Sequence, residues 1–314
     1  MSNSSQMPLS TVETGEEYEG YDSMSTYANR SEYTRDYTPE IIVISVCILG
    51  LVGNGIIICL LGFCIKRSSF TTYILNLAVA DFGVLTAALG TNLLPIVFKY
   101  DCEHLFRFFH ELFNVTYTAG QFLLTVIGIE RCVLVFFPIW HRCHQPPHLS
   151  TIVSTIIWVI SLLVCELPFI LHWNLEFDYW ELCFFMNALL CLPLLSISTL
   201  ALFIKVHFKS QRHKWGKLLV AISLALLFFL IFAFPFNVLY ILNYWYCSAY
   251  HHLYVWGFFC TSINSSVNPV IYFLIGRKKR SRTRESLKVI LERVFKEEEN
   301  GGRPPVQMSA LMSP

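Results

Sequence analysis

The chain has 314 residues, of which 54% are apolar and only 14% charged, against about 25% charged in an ordinary soluble domain. With a mean hydropathy of +0.52, this composition excludes a soluble globular protein and points to a membrane protein. The net charge of +1 hides opposed ends: residues 1–40 hold eight acids and two bases, whereas the stretch from Gly276 reads GRKKRSRTRES.

The first forty residues are rich in Ser, Thr, Glu and Tyr, a composition that predicts disorder. They contain no apolar core of the signal-peptide kind, so the first apolar segment is expected to act as its own insertion signal. A spanning helix needs about 20 mostly apolar residues. Seven segments qualify: Ile41–Ile65, Tyr73–Phe98, Leu105–Phe137, Leu149–Trp173, Leu182–Phe208, Leu218–Tyr244 and Leu253–Ile275. No long polar insertion separates them, so residues 41–276 are expected to form one all-α bundle of seven transmembrane helices. A basic amphipathic helix is expected over 277–297 and a disordered tail over 298–314.

Lys and Arg in short loops set the orientation. Lys66 and Arg67 follow span one, Arg142 follows span three, and Lys205, Lys209, Arg212, Lys214 and Lys217 gather after span five. The alternate loops hold only Lys99 and Arg107. The N-terminus is therefore expected outside the cell and the C-terminus in the cytosol. Asn3 and Asn29 then become candidate glycosylation acceptors. Asn114 and Asn264 match the same pattern but fall within spans, where they are expected to go unused.

Polar groups inside the spans are the next signal. Asp81 lies mid-span in ILNLAVADFGV, where an acid costs about 2.5–3.5 kcal/mol on insertion scales and needs a partner within the bundle. Asn54, Asn264 and Asn268 are the candidates. Two readings stay open: a satisfied structural cluster, or a hydrated switch that holds a cation. Pro193, Pro235 and Pro269 each remove a helical hydrogen bond and kink a span. Glu130 and Arg131 stand together at the cytosolic edge of span three, either as an interfacial anchor or as part of a switch. IWHRCHQPPHLS (139–150) carries His141, Cys143, His144 and His148, donors of the type that bind zinc.

In order along the chain stand GN (Gly53-Asn54), NLAVAD (Asn76–Asp81), ERC (Glu130–Cys132), Trp158, Pro193, FAFPF (Phe232–Phe236) and NPVIY (Asn268–Tyr272). This pattern, spread over residues 40 to about 297, resembles the class A, rhodopsin-like G-protein-coupled receptors. ERC followed by PIWHRCHQPPHLS, together with INSSVNPVIYFLIG, LIFAFPFNVLYIL and RESLKVILERVFKEEE, is similar to the Mas-related receptors. The resemblance implies an extracellular ligand, a heterotrimeric G protein, the lipid bilayer and arrestin as partners. It implies no catalysis, no cofactor and no nucleic-acid partner. It also gives the His/Cys stretch an address in the second cytosolic loop, where no metal is expected.

The resemblance assigns roles residue by residue. Arg131 would lie beneath the C-terminal helix of the G protein, with Glu130, Pro138 and Ile139 beside it. Pro235, Asn268, Pro269 and Tyr272 would belong to the switch. Two residues before Pro235, Ala233 stands where most of the superfamily has a Trp, which Mas-related receptors also lack. Gly120 stands where many relatives have a sodium-ligating Ser, so Asp81 is expected to bind Na⁺ weakly or not at all. Trp215 replaces the acid that usually restrains the Arg131 position, and fewer inactive-state contacts favour the active state. Agonist-independent signalling is therefore expected. Class A receptors also bridge the top of span three to the second outer loop. Cys102–Cys183 is the pairing implied here, with Cys183–Cys247 as the alternative.

Phe113 occupies the position where amine receptors carry an Asp, which argues against an amine receptor, and span seven holds no Lys for a retinal Schiff base. Glu166, Glu176, Asp178 and Glu181 form an acidic outer region that would steer cations. Since Mas-related receptors are associated with basic peptides and small cations, a vestibule of Glu166, Asp178, Glu181, Asn114, Tyr117, Tyr240, Asn243 and Tyr244 is expected. ESLKVILERVF (285–295) has a stripe of Leu287, Ile290, Leu291 and Val294 that suits the inner leaflet. No Cys follows Ile275, which rules out a palmitoyl anchor there. A transporter would want internal repeats and several mid-membrane charges, and a metal enzyme would want ligands converging from several segments. An orphan receptor acting through basal signalling, or through association with other receptors, is the nearest rival.

Overall fold

The computed structural model describes residues 37–65, 67–98, 103–139, 146, 148–171, 179–208, 222–232, 237, 251–277 and 286–292. They lie almost wholly within the unit Thr38–Pro314. The first helix, α1, runs Thr38–Cys59 and continues as a wider π turn over Leu60–Cys64. Then come α2 (Ser69–Val97), α3 (Glu103–Phe136), α4 (Leu149–Leu171), α5 (Tyr179–Phe208), α6 (Ile222–Phe232) and α7 (His251–Gly276). No strand occurs among the described residues. Five of these helices carry a stretch long and apolar enough to span a membrane, and Leu189–Lys205 and Ile222–Phe232 are shorter apolar helices. The fold is a seven-transmembrane helix bundle.

Local chemistry accounts for the ends of the first two helices. Pro39 sits in the first turn of α1, where its missing N–H costs nothing. The π turn closes with Ile65 N–H donating to Leu60 O at 2.9 Å, five residues back. Ser68 and Thr71 form a reciprocal cap on α2: Thr71 N–H donates to Ser68 Oγ and Ser68 N–H donates to Thr71 Oγ1. Two orphan donors are satisfied in this way.

Helix α1 buries Glu40, Val43, Cys47, Gly50, Asn54 and Ile57, a stripe at intervals of three and four that faces the bundle. Its other face presents Ile42, Ile48, Leu49 and Val52 outward, as lipid requires. Gly50 allows close approach: a Cβ there would lie 2.7 Å from Leu85 Cδ1 and 2.9 Å from Ser266 Cβ. Helix α3 differs from the rest. From Phe113 to Leu124 almost every side chain is buried, and it packs against α2, α4 and α5. A helix buried all round lies on the bundle axis, so its side chains can reach every surrounding span.

Two large apolar clusters and a small third one, Val115 with Cys165, fill the interior. The larger runs from Ile57, Phe70 and Tyr73 to Phe229 and Tyr272, and the second joins Val43, Cys47 and Val84 to Phe113, Tyr117, Val255 and Phe258. In the short helix at 287–292, Ile290 and Leu291 are buried, with Leu291 part of the larger cluster, while Leu287 and Val289 are exposed.

Candidate functional site

Pro269 organises the first site. Lacking an N–H, it leaves the carbonyl four residues earlier in α7, that of Ser265, without its helical donor. Asn54 of α1 supplies one: its Nδ2 donates to Ser265 O and to Gly50 O, both at 3.0 Å. Gly53 makes room for this contact, since a Cβ there would meet the Pro269 ring at 3.1 Å. Asn54 thus joins α1 to the α7 backbone and does not bond Asp81.

Asp81 is 4% exposed on the inner face of α2. Its Oδ2 accepts from Asn268 Nδ2 at 2.8 Å, and the Ser265 side chain is a further hydrogen-bond partner. Of the three Asn candidates, Asn268 is the direct partner; Asn264 is buried nearby in α7 with no bond to Asp81 among the described contacts. Asn54, Asp81, Asn268 and Tyr272 line one crevice with Ile57, Ile74, Leu77 and Ala78. Gly120 faces Ala80, the neighbour of Asp81, and brings no oxygen to it.

Tyr272 is buried within electrostatic reach of both Asp81 and Arg131. It stands between the polar cluster and the end of α3. Arg131 is only 2% exposed, and its guanidinium carbon sits 3.7 Å above the ring centroid of Phe70. That cation–π contact ties α3 to the first turn of α2. Glu130 of α3 lies within electrostatic range of Tyr73 of α2. Beyond α3, Pro138 is exposed and Ile139 is 80% exposed. Trp158 Nε1–H donates to Asn76 Oδ1 at 3.1 Å, which fixes α4 to α2.

Nearer the Thr38 end, Phe113 stacks on Tyr117 at 5.4 Å and meets Phe258 at 4.8 Å. Asn237 Nδ2 donates to Tyr117 Oη at 3.0 Å. Asn114 is buried and contacts His110 Nδ1 at 3.3 Å. Asn187 of α5 donates to Thr118 Oγ1 at 2.8 Å, and Thr118 meets Cys165 of α4 at 3.7 Å. Asn187, Asn237 and Thr118 were not singled out from sequence. The usable signal was an Asn within an apolar run, which a membrane tolerates only with a partner.

Glu166 is half-buried on α4. Asn3, Asn29, Cys102, His141, Cys143, His144, Glu176, Asp178, Trp215, Ala233, Pro235, Tyr240, Asn243, Tyr244 and Cys247 lie outside the described residues, as do the side chains of Glu181 and Cys183. No cluster of three or more His, Cys, Asp or Glu suited to a metal occurs among the described residues.

A seven-helix bundle with a buried polar cluster and a buried Arg near the end of α3 is the architecture of a transmembrane receptor. The family described as 7 transmembrane receptor (rhodopsin family) matches residues 53–272. The chain is also 35% identical over 272 residues to proto-oncogene Mas of Rattus norvegicus, covering 82% of this chain and 83% of that protein. It is 38% identical over 280 residues to Mas-related G-protein coupled receptor member H of Rattus norvegicus (85% and 86% covered). To member A1 of Mus musculus it is 33% identical over 288 residues (88% and 94% covered). The chain belongs to the Mas-related G-protein-coupled receptors of the rhodopsin family. It is thus a multi-pass plasma-membrane receptor that works with an extracellular ligand and a G protein, and it is not an enzyme.

Proposed function

We propose that this receptor senses a cationic extracellular ligand, a basic peptide or small cation, and activates heterotrimeric G proteins with substantial agonist-independent activity. The observation that carries the reading is the Asp81–Asn268 bond at 2.8 Å, with Tyr272 between it and Arg131. A ligand that shifts α7 would disturb this bond and pass the change to Arg131. Loop bases put the Thr38 end outside and the Gly276 end in the cytosol, where exposed Pro138 and Ile139 would meet the G protein. Cationic selectivity rests on Glu166, Asp178 and Glu181, and on the absence of bases from EFDYWEL.

Further roles belong to the same reading. Cys102–Cys183 would brace the outer face, Asn3 and Asn29 would carry glycans, and arrestin would be a second cytosolic partner. Na⁺ would bind at Asp81 weakly at most, since Gly120 supplies no oxygen. The test is a screen of basic peptides against receptor-expressing cells, read by calcium and cAMP, followed by Asp178→Ala and Glu181→Ala. Potency for a cationic agonist is expected to fall in both variants; unchanged potency would refute the acidic vestibule.

A further inference from the structure

Glu40 was counted from sequence as one acid of a polar N-terminal segment. The structure places it on the first turn of α1, facing inward, 9% exposed. It continues the stripe of Val43, Cys47, Gly50 and Asn54. That stripe faces α7: Cys47 Sγ meets Ser262 Oγ at 3.3 Å, and Ser266 Oγ donates to Val46 O at 3.3 Å. One turn below Glu40, Val43 belongs to the cluster holding Val84, Ala88 and Val255. Glu40 therefore sits above this cluster, at the Thr38 end of the seam between α1, α2 and α7.

One of its two carboxylate oxygens, Oε2, is buried and has no hydrogen-bond partner among the described residues. Arg107, the one described Arg or Lys near this end, is committed to Glu103 at 2.9 Å. A carboxylate in a first helical turn is favoured by the helix dipole. That accounts for an acid at this position, but not for turning it inward, away from water. Burying a carboxylate without a partner is costly, and an unpaired buried charge destabilises. A cation arriving from outside would remove that cost. Because Ile41 and Ile42 face outward while Glu40 faces the bundle, the cation would come from a ligand entering the helix bundle, not from a lipid headgroup.

We infer that Glu40 is a second cation subsite of this receptor, which pairs with a guanidinium or ammonium group of the ligand at the outer end of the α1–α2–α7 seam. The inference rests on the cationic-ligand reading and adds a contact separate from Asp178 and Glu181. The test uses the full-length receptor in maltoside micelles, which carry no ammonium headgroup. Thermal unfolding is followed with tetra-arginine amide and with its neutral tetra-citrulline counterpart. In the wild type, tetra-arginine is expected to raise the midpoint more than tetra-citrulline. Glu40→Gln without peptide should melt at or above the wild-type midpoint, and the arginine-specific shift should shrink. Glu40→Asp, which keeps the charge, should retain part of that shift.

A lower midpoint for Glu40→Gln without peptide would mean that a cation of this chain already holds Glu40, and would overturn the inference. So would an arginine-specific shift equal to wild type in Glu40→Gln, or no such shift in the wild type. Asp178→Asn/Glu181→Gln separates the two readings. If that double variant loses the shift and Glu40→Gln keeps it, the Glu40 subsite falls and the outer-loop site stands; the reverse result keeps Glu40 and removes the loop.

Discussion

The two carboxylates that are buried among the described residues sit at different depths and in different company. Asp81, in the middle of the bundle, accepts from Asn268 and has Ser265 beside it. Glu40, at the Thr38 end, has an oxygen that nothing in the described structure satisfies. The cost of the first is met within the fold, so it serves as an internal joint between α2 and α7. The cost of the second is not, which suits a group whose partner comes from outside. On the proposed reading, the contrast separates a region that transmits from a region that receives.

The contrast can be broken by substitution, taking the largest expected effect on stability first. Asn268→Ala should leave the Asp81 carboxylate with Ser265 as its remaining described partner. The cost should be about 1–3 kcal/mol, because one bond to a buried acceptor is lost, and a lowered thermal midpoint would report it. A midpoint equal to wild type would show that Ser265 alone satisfies Asp81. Trp158→Phe removes one interhelical donor and should cost about 1 kcal/mol, with α4 loosened from α2; hydrogen exchange in α4 would register the change. Arg107→Gln breaks an exposed ion pair with Glu103 and should change stability by no more than about 0.5 kcal/mol. A large loss there would mean that the Thr38 end is held by its surface charges, against the contrast drawn above.

Much of the bundle was legible because lipid imposes one simple demand on sequence. Seven apolar runs gave seven helices, and Leu149 and Phe208 fell at the expected ends of α4 and α5. Asp81 was found because a charge within such a run needs a partner. Choosing among Asn54, Asn264 and Asn268 was not possible from spacing alone. That choice depends on how α7 is rotated against α1 and α2, and on the free Ser265 carbonyl that draws Asn54 away. Asn237 and Asn187 were missed because their partners, Tyr117 and Thr118, lie on α3, and the contact exists only once α3 takes the bundle axis. Glu40 was misfiled for another reason. Charge counting grouped it with the acidic N-terminal segment, although its spacing to Val43, Cys47 and Gly50 already marked a buried helical face.

Nucleotide exchange on a purified G protein, driven by the ligand-free receptor, tests most directly whether the Asp81–Asn268–Tyr272–Arg131 region transmits. The wild type should exceed the receptor-free rate, Arg131→Ala should fall to that rate, and Asn268→Ala should lie below wild type. A wild-type rate equal to the receptor-free control across the G-protein classes, or an undiminished rate in Arg131→Ala, would contradict the account.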